Sequence, residues 1–260
     1  MPKGIWVAPA MPPNDDATPG ALDGIRIIDL TRVLAGPFCT QLLADYGAEV
    51  IKIERPGIGD DTRRWGPPYL QGVDGEDTTE SAFYLSANRN KRSVSIDMSR
   101  PEGQNLIVRL LERADVLMEN FRVGTLKRYG LGYDDLKDRF PKLVYCSITG
   151  FGQTGPYKDR TGFGTIAECM SGYIGMSGFP DAPPVLPPVP LADEISGVFG
   201  AMAGMMALYH RDASGSQEGP VSNHRKGQVI DVSLFEPLFR LCIPHITIYD
   251  LLGIVRERVG

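Results

Sequence analysis

Cysteine, histidine and long apolar runs are all scarce in this 260-residue chain. Its four cysteines lie far apart and form no C-x-x-C pair, so their spacing predicts neither a metal site nor a redox pair. No apolar stretch reaches the roughly 20 residues of a membrane-spanning helix, and the N-terminus lacks a secretory apolar region or an arginine-rich transit helix. These absences predict a soluble intracellular protein without a metal site, in the cytoplasm rather than the mitochondrion.

An excess of positive charge is also missing. The chain has 27 Lys and Arg against 32 Asp and Glu, which gives a net charge of −5 and a pI near 5.3. No run of basic residues is longer than a pair such as Arg63–Arg64 or Lys91–Arg92. This balance argues against a nucleic-acid partner, because no extended positive field exists to attract one. The hydrophobic content of 42% is enough for a substantial core.

The order of the predicted elements defines the fold class. Residues 22–61 have the pattern of a strand (Ile25–Leu30), a loop, a helix that stops at Gly47, and a second strand (Val50–Ile53). The alternation continues, which predicts an α/β fold: a Rossmann-like, open, mostly parallel sheet with helices on both faces. Further strands are predicted at 93–98, 115–118, 143–148 and 228–234, and helices at 101–113, 124–129, 133–138, 165–175, 193–210 and 235–252.

Composition divides the chain into three segments. Residues 1–20 hold five prolines and are predicted to form an irregular arm. Residues 21–211 form the predicted large domain, in which residues 56–81 are a loop rich in glycine, proline and charge. Residues 212–260 contain a polar insertion, a strand and a linker helix toward a smaller domain, of which only the start is present.

Glycine is sparse in the loop after the first strand, where a dinucleotide-binding protein has G-x-G-x-x-G. The loop from Thr31 to Pro37 contains one glycine, Gly36, so the sequence lacks the main motif that would indicate a nicotinamide or flavin cofactor. Such a loop can hold a ligand through backbone groups and a helix N-terminus, or it can be an ordinary connection. The residues alone leave both interpretations open.

Three further segments have polar side chains directly after predicted strands. Arg55 could bind a phosphate or could pair with Glu54. Residues 120–122 combine an amide, an aromatic ring and a cation, as a nucleotide site does, or they form a turn capped by Asn120. The glycine-rich loop 147–156 could close over a thioester or could be a simple turn.

Asp193 follows a proline-rich segment and opens the predicted helix 193–210. As an N-cap it would accept hydrogen bonds from the N–H groups of residues 195 and 196 and would need no other role. As a nucleophile, the same carboxylate could attack an acyl carbon and form a covalent intermediate. The sequence pattern does not choose between these roles.

Six separate segments together resemble one protein family. In chain order they are TRVLAGPFCTQLLADYGAEVIKIERPGIGD, NKRSVSIDM, ENFRVGTLKRYGLGYDDL, PKLVYCSITGFGQTGPY, LAD at 191–193, and GQVIDVSLFEPL. Over about residues 20–250 they resemble the class III coenzyme A transferases, the formyl-CoA and carnitine-CoA transferase family that also includes α-methylacyl-CoA racemases. The resemblance implies a CoA-transferase of the EC 2.8.3 type, a Rossmann-like large domain with CoA lying across it, and a homodimer of two interlocked rings.

The resemblance also implies roles for individual residues. The family's catalytic aspartate matches Asp193, which would form an acyl anhydride and then a CoA thioester before CoA passes to an acceptor carboxylic acid. Coenzyme A and acyl-CoA are then substrates, and no permanently bound cofactor is expected. The helix end beside Asp193 is expected to lower the pKa of its carboxyl group. The family's CoA contacts fall on Leu34, Ala35, Arg55, Ile96, Asp97, Met98, Ser99, Asn120, Phe121, Arg122 and Arg128.

Two alternatives accompany this interpretation. Racemases of the family have a His–Asp pair where this chain has Phe163–Gly164, and phenylalanine cannot exchange a proton with an α-carbon, so a 2-methylacyl-CoA racemase-like enzyme ranks second. Transferases of the family often have an acidic residue at the position of Gly164. Glu168, one helical turn later, is the candidate substitute for that acid. Family members continue well past Gly260, so the other alternative is a truncated, non-catalytic CoA-binding protein or partner subunit.

Overall fold

The computed structural model describes residues 19–213 and 226–258. The strands within these residues are β1 (Arg26–Asp29), β2 (Glu49–Glu54), β3 (Tyr69–Gln71), β4 (Asp77–Ser81), β5 (Lys91–Ser95), β6 (Val116–Glu119), β7 (Val144–Thr149) and β8 (Val229–Ser233). The α-helices are α1 (Ala35–Asp45), α2 (Ala82–Asn88), α3 (Pro101–Leu111), α4 (Tyr133–Leu136), α5 (Gly164–Met170), α6 (Tyr173–Met176), α7 (Leu191–Ala213), α8 (Phe235–Leu241) and α9 (His245–Leu252). Short 3-10 helices cover Asp61–Arg64 and Lys127–Tyr129.

Six strands form one parallel sheet in the order β5-β2-β1-β6-β7-β8, and β3 and β4 form a separate antiparallel hairpin. Counted along the chain, the six sheet strands have the order 3-2-1-4-5-6 of the doubly wound nucleotide-binding folds. The predicted α/β fold is therefore confirmed. The strand order reverses between β1 and β6, so a crevice opens there at the carboxyl ends of the strands, which is where open α/β sheets bind ligands.

Two hydrophobic clusters cover the two faces of this sheet. Ile27 and Ile28 are adjacent on β1, and their side chains enter different clusters because neighbouring strand residues point to opposite faces. The cluster around Ile27 includes residues of α1 and α7, and the cluster around Ile28 includes Ile107 and Leu111 of α3. Helices thus lie on both faces, as the alternating sequence pattern predicts.

Small residues let α7 pack closely against α1. A Cβ atom built on Gly197 would lie 2.9 Å from the Ala35 carbonyl oxygen, and one on Gly200 would lie 3.0 Å from Ile148 Cδ1. This packing places the first turn of α7 beside the first turn of α1. Among the residues described, α7 is the one helix long and apolar enough to cross a membrane by length and composition. One side of this helix packs against α1 and β7.

Several predicted elements have different boundaries in the structure. The predicted helix 165–175 is interrupted at Gly172, whose φ of +86° a helix does not allow, and the predicted helix 235–252 is interrupted before α9 by Pro244. The predicted helix 124–129 is reduced to one 3-10 turn. The strand predicted at 93–98 lies at Lys91–Ser95, and the predicted loop 56–81 contains the β3–β4 hairpin.

The C-terminal segment contributes to the main sheet. Strand β8 pairs with β7 in parallel, with Tyr145 opposite Val229 and Thr149 opposite Ser233. The strand predicted in the segment 212–260 is therefore the sixth strand of this sheet, and the sheet is not confined to residues 21–211. The predicted arm lies mostly, and the polar insertion largely, outside the described residues.

A buried ion pair fixes the chain at the carboxyl end of β2. Lys52 Nζ lies 2.9 Å from Asp60 Oδ2, and the two side chains are 1% and 0% exposed. The same ammonium group donates to the Thr31 carbonyl oxygen at 2.9 Å, while Asp60 Oδ1 accepts the Val33 N–H at 3.3 Å. Both partners of the pair therefore hold the loop between β1 and α1.

A second buried pair lies beside the first. Lys91 Nζ is 3.1 Å from Asp29 Oδ2, and it also donates to the Pro37 carbonyl oxygen at 2.8 Å. Burial raises the pKa of the Asp29 carboxyl group, but Lys91 and Lys52 outweigh that effect and keep the pKa below its ordinary value. We call Asp29, Lys52, Asp60 and Lys91 the ionic frame. Its two positive and two negative charges balance.

The ionic frame holds the loop in an unusual backbone conformation. Val33 has a φ of +70°, in the left-handed region that β-branched residues rarely adopt. Such a conformation persists only where surrounding contacts enforce it, and here the Thr31 and Val33 contacts with Lys52 and Asp60 do so. The loop leads directly into α1, so the ionic frame determines where the first N–H groups of that helix lie.

The variant Lys52→Met tests this frame. The substitution leaves the Asp60 charge buried without its cation, so we expect the free energy of unfolding to fall by about 3–5 kcal/mol in urea denaturation. Lys137→Met is the matched control: its pair with Asp134 at 2.6 Å is on the surface, where water screens the charges, so a much smaller loss is expected. Equal losses in the two variants would contradict a structural role for the buried pair.

Candidate functional site

Two neighbouring cavities open at the carboxyl ends of the sheet strands. The Asp193 cavity has a volume of about 700 Å³ and lies among β6, β7, α5 and the first turn of α7. The Arg55 cavity has a volume of about 370 Å³ and lies above β2 and the residues after β5. Arg32, Phe121 and Thr125 line both cavities, so the two form adjoining parts of one crevice beside the switch point.

The residues predicted from the sequence gather around these cavities, with one exception. Leu34 is half-buried and lines neither. The Asp193 cavity is lined by the predicted residues Ala35, Asn120, Phe121, Arg122, Arg128 and Asp193. The Arg55 cavity is lined by Arg55, Ile96, Asp97, Met98, Ser99 and Phe121.

Asp193 is the third residue of α7, not its N-cap. The helix begins at Leu191, so the predicted capping role is wrong. The backbone N–H of Ala35, at the start of α1, instead lies close enough to the carboxylate to favour its charged form. The close packing of the two helices therefore brings a carboxylate of one against a backbone donor of the other.

Burial raises the pKa of the Asp193 carboxyl group to about 6. The Ala35 N–H favours the charged form but does not outweigh burial, and the charge of Glu168 raises the pKa further. The expected lowering of this pKa is therefore wrong, because desolvation exceeds the effect of the helix end. A carboxylate that is poorly solvated and still ionised near neutral pH is suited to act as a nucleophile.

Gly164 and Glu168 of α5 lie beside Asp193. A Cβ atom built on Gly164 would overlap Asp193 Oδ2, so only glycine leaves the carboxylate in its position. Glu168 is 4% exposed, and its Oε1 accepts the Ala192 N–H at 3.2 Å. This acid therefore satisfies a backbone donor in the first turn of α7, and it is not free to replace an acid at position 164.

The junction between the cavities is built by Arg32, Asn120 and Phe121. Asn120 Oδ1 accepts the Arg32 N–H at 2.9 Å, and Asn120 Nδ2 donates to the Arg32 carbonyl oxygen at 2.6 Å. Asn120 thus joins two loops and caps no helix, which corrects the capping alternative. The Arg32 guanidinium lies 5.1 Å from the centre of the Phe121 ring, and its Nε is a buried donor without a hydrogen-bond partner in the part of the chain described.

Arg55 does not pair with Glu54. Glu54 accepts two hydrogen bonds from Arg63, both at 2.8 Å, and one from Ser93 Oγ at 2.6 Å. Burial opposes ionisation of Glu54, but these donors lower its pKa to about 2. Arg55 reaches Asp61 at 3.3 Å and remains 51% exposed, so its guanidinium is available at the cavity wall.

Sequence reasoning missed several cations of the Asp193 cavity. Arg32, Lys158 and Arg160 line it in addition to the predicted Arg122 and Arg128, against the carboxylates of Asp159 and Asp193. No turn or strand pattern marks Lys158 and Arg160 as site residues, and only the unusual density of charge after the glycine-rich loop could have indicated them. Within residues 19–213 and 226–258, no cluster of His, Cys, Asp and Glu could hold a metal ion.

The variant Asp193→Asn tests the burial of this carboxyl group. Because the pKa is raised from about 3.8 to about 6, ionisation in the folded state opposes folding: the wild type loses stability relative to the variant as the pH rises from 4 through 6. In urea denaturation, we expect the wild type to lose about 2 kcal/mol of unfolding free energy relative to the variant between pH 4 and pH 8. A difference that does not change with pH would contradict the raised pKa.

Comparisons with known proteins agree with this geometry. The model of CoA-transferase family III matches residues 22–260. The chain is 42% identical over 242 residues to succinyl-CoA–D-citramalate CoA-transferase of Chloroflexus aurantiacus (93% of this chain, 56% of the relative), and 47% identical over 215 residues to succinate–glutarate CoA-transferase of Agrobacterium fabrum (83% and 51%). It thus spans about half the length of these relatives.

A solved structure gives the same assignment. A CaiB/BaiF family protein from Brucella suis superposes with a TM-score of 0.85 at 41% identity, over 94% of this chain and 61% of that one. The family model reaches from residue 22 to the last residue. The chain belongs to CoA-transferase family III.

Proposed function

We propose that this chain is the CoA-binding and nucleophile-bearing part of a CoA-transferase, which moves coenzyme A from an acyl-CoA to a carboxylic acid through a covalent intermediate on Asp193. The observation that carries the proposal is the position of the Asp193 carboxylate. It is desolvated, it is free of any cation partner within hydrogen-bond distance among the described residues, and it faces the larger of two adjoining cavities.

The reaction begins with attack of the Asp193 carboxylate on the thioester carbonyl carbon. A C–O bond forms and the C–S bond breaks, which gives a mixed anhydride and the CoA thiolate. The thiolate then attacks the aspartyl carbonyl carbon, so that the first carboxylate leaves and an aspartyl-CoA thioester forms. The acceptor carboxylate repeats these two steps in reverse order, and the free Asp193 carboxylate and the new acyl-CoA result.

The two cavities suit the two ends of a CoA thioester. Arg55, Ile96 and Met98 offer a cation and apolar side chains for the nucleotide end in the Arg55 cavity. Phe121 and Arg32 lie where the pantetheine arm would pass into the Asp193 cavity. Arg122 and Arg128, which the resemblance also implies as CoA contacts, line that second cavity and supply donors for phosphate or amide oxygens.

The acids exchanged are proposed to be dicarboxylates. The two relatives described above are named for succinyl-CoA or succinate as one partner and for citramalate or glutarate as the other. All of these acids carry two carboxylates, and the excess of cations in the Asp193 cavity suits that class.

A second copy of the chain is proposed as its partner in a homodimer, which would cover exposed apolar side chains of α9 such as Tyr249, Leu251 and Leu252.

Racemisation is less well supported. Phe163 lines the Asp193 cavity and Gly164 lies beside Asp193, and neither residue has a group that can exchange a proton with an α-carbon. A non-catalytic CoA-binding role is the other alternative, and it differs from the proposal in one measurable way: it does not need the Asp193 carboxylate.

The variant Asp193→Ala tests the nucleophile. With succinyl-CoA and glutarate as substrates, we expect transfer to fall by at least about 10³-fold, because the covalent route is lost. Binding of CoA in titration calorimetry is expected to stay within about threefold. Mass spectrometry after incubation with succinyl-CoA should show an adduct on the wild type alone.

Glu194→Gln is the matched control for that variant. It removes the neighbouring acid in the same turn of α7, and we expect most of the transferase activity to remain. Wild-type protein that binds CoA but transfers nothing would favour the non-catalytic alternative. Undiminished transfer by Asp193→Ala would reject Asp193 as the nucleophile.

The dependence of the rate on pH provides an independent test. The attacking species is the Asp193 anion, which forms as the pH rises through its pKa of about 6. We therefore expect kcat/KM to increase about tenfold per pH unit below pH 6 and to level off above it. A profile that is flat from pH 4.5 to 7.5 would mean that this ionisation does not limit the reaction.

A further inference from the structure

The segment 158–163 forms one wall of the Asp193 cavity and leads directly into α5. Its continuation, Gly164, lies against Asp193 Oδ2. Arg160 is four residues earlier, so its Cα is at most about 14 Å from that of Gly164. A side chain of this segment can therefore contact the far end of a small acid whose near end reaches Asp193.

Arg160 is held in place without being neutralised. Its guanidinium carbon lies 4.0 Å from the centre of the Tyr157 ring, and its backbone N–H donates to the Tyr157 carbonyl oxygen at 2.8 Å. Tyr157 in turn packs edge-to-face against Phe151, with 5.6 Å between the ring centres. In the described part of the chain, no carboxylate lies within ion-pair distance of Arg160.

The other arginines of the cavity are placed for other contacts. Arg32 lies over the Phe121 ring and is 3.5 Å from Asp61. Arg122 and Arg128 follow β6, on the wall that continues toward the Arg55 cavity through Phe121 and Thr125. Arg160 instead lies in the segment 158–163, which continues into Gly164 beside Asp193.

We propose that Arg160 binds the distal carboxylate of a four- or five-carbon dicarboxylic acid while the other end of that acid reacts at Asp193. This inference rests on the proposed transferase function and adds the residue that selects the substrate class. A guanidinium forks onto a carboxylate with two parallel hydrogen bonds, and stacking on Tyr157 orients that fork in advance. Tyr157 is then a positioning residue for Arg160.

The selection has a direct physical reason. After one carboxylate of the acid has become a thioester or an anhydride, the other still carries a charge that must be paired inside the cavity. A monocarboxylic acid of the same length gains nothing from Arg160 and leaves the guanidinium unpaired, so a site built for the pair discriminates against it. The five-carbon acids glutarate and pentanoate differ in this one group.

The test compares these two acids in the wild type, Arg160→Gln and Arg160→Lys. We expect the ratio of kcat/KM for glutarate to that for pentanoate, with succinyl-CoA as donor, to fall at least tenfold in Arg160→Gln. Arg160→Lys should recover part of the ratio, because a point charge replaces the fork. Lys137→Gln is the control for the loss of one positive charge, since Lys137 is a surface residue that lines neither cavity, and the ratio in this variant should equal that of the wild type.

A binding measurement separates this inference from the proposed function. Titration calorimetry with glutaryl-CoA and pentanoyl-CoA needs no turnover, and we expect a wild-type preference for glutaryl-CoA that Arg160→Gln loses. Wild type that binds both thioesters equally, or a preference that Arg160→Gln retains, would overturn the role of Arg160. The expected binding preference without any transfer would overturn the transferase proposal alone, and failure to bind either thioester would overturn both.

Discussion

The site depends on two lysines that are buried in pairs with aspartates. Lys52 and Lys91 hold the carboxyl ends of β1 and β2 and the loop that leads into α1. That loop contains Val33 in a left-handed conformation and ends at the N–H of Ala35, which reaches the Asp193 carboxylate. A chain of contacts therefore runs from the ionic frame to the Asp193 carboxylate, and the position of that carboxylate depends on charges buried away from solvent.

Much of the fold can be predicted from local pattern. The apolar runs at β1 and β7 and the glycine after α1 identify strands and a helix end, because burial and backbone freedom act within a few residues. The β3–β4 hairpin cannot be predicted in this way, because Asp77–Ser81 has no apolar residue to mark a strand. The single helix expected over 235–252 contains Pro244, which a helix interior does not accommodate, so the sequence itself carries the signal that separates α8 from α9.

Only part of the candidate site can be predicted from the sequence. The family resemblance identified Asp193 and most of the cavity walls, but not the network beneath them: Lys91 and Asp29 are 62 positions apart, and only the parallel pairing of β5, β2 and β1 brings them together. The pKa of Asp193 was predicted in the wrong direction because a sequence shows the helix end but not the packing of α1 and α5 around it. Arg160 was missed because its importance comes from Tyr157 and the cavity, not from a motif.

The two groups of charge in this molecule differ in their exposure to solvent. The lysines of the ionic frame are 1% and 2% exposed, whereas Arg122, Arg128 and Arg160 are open to water. Mobile ions screen exposed charges over about 8 Å at physiological ionic strength and affect buried pairs much less. Although the chain carries a net charge of −5, the Asp193 cavity is lined by more cations than carboxylates and is a local positive patch. The net negative charge therefore repels an approaching polyanion, and the cations of the crevice attract it. We expect the rate of encounter to fall as ionic strength rises, whereas the buried ion pairs that shape the site are hardly affected.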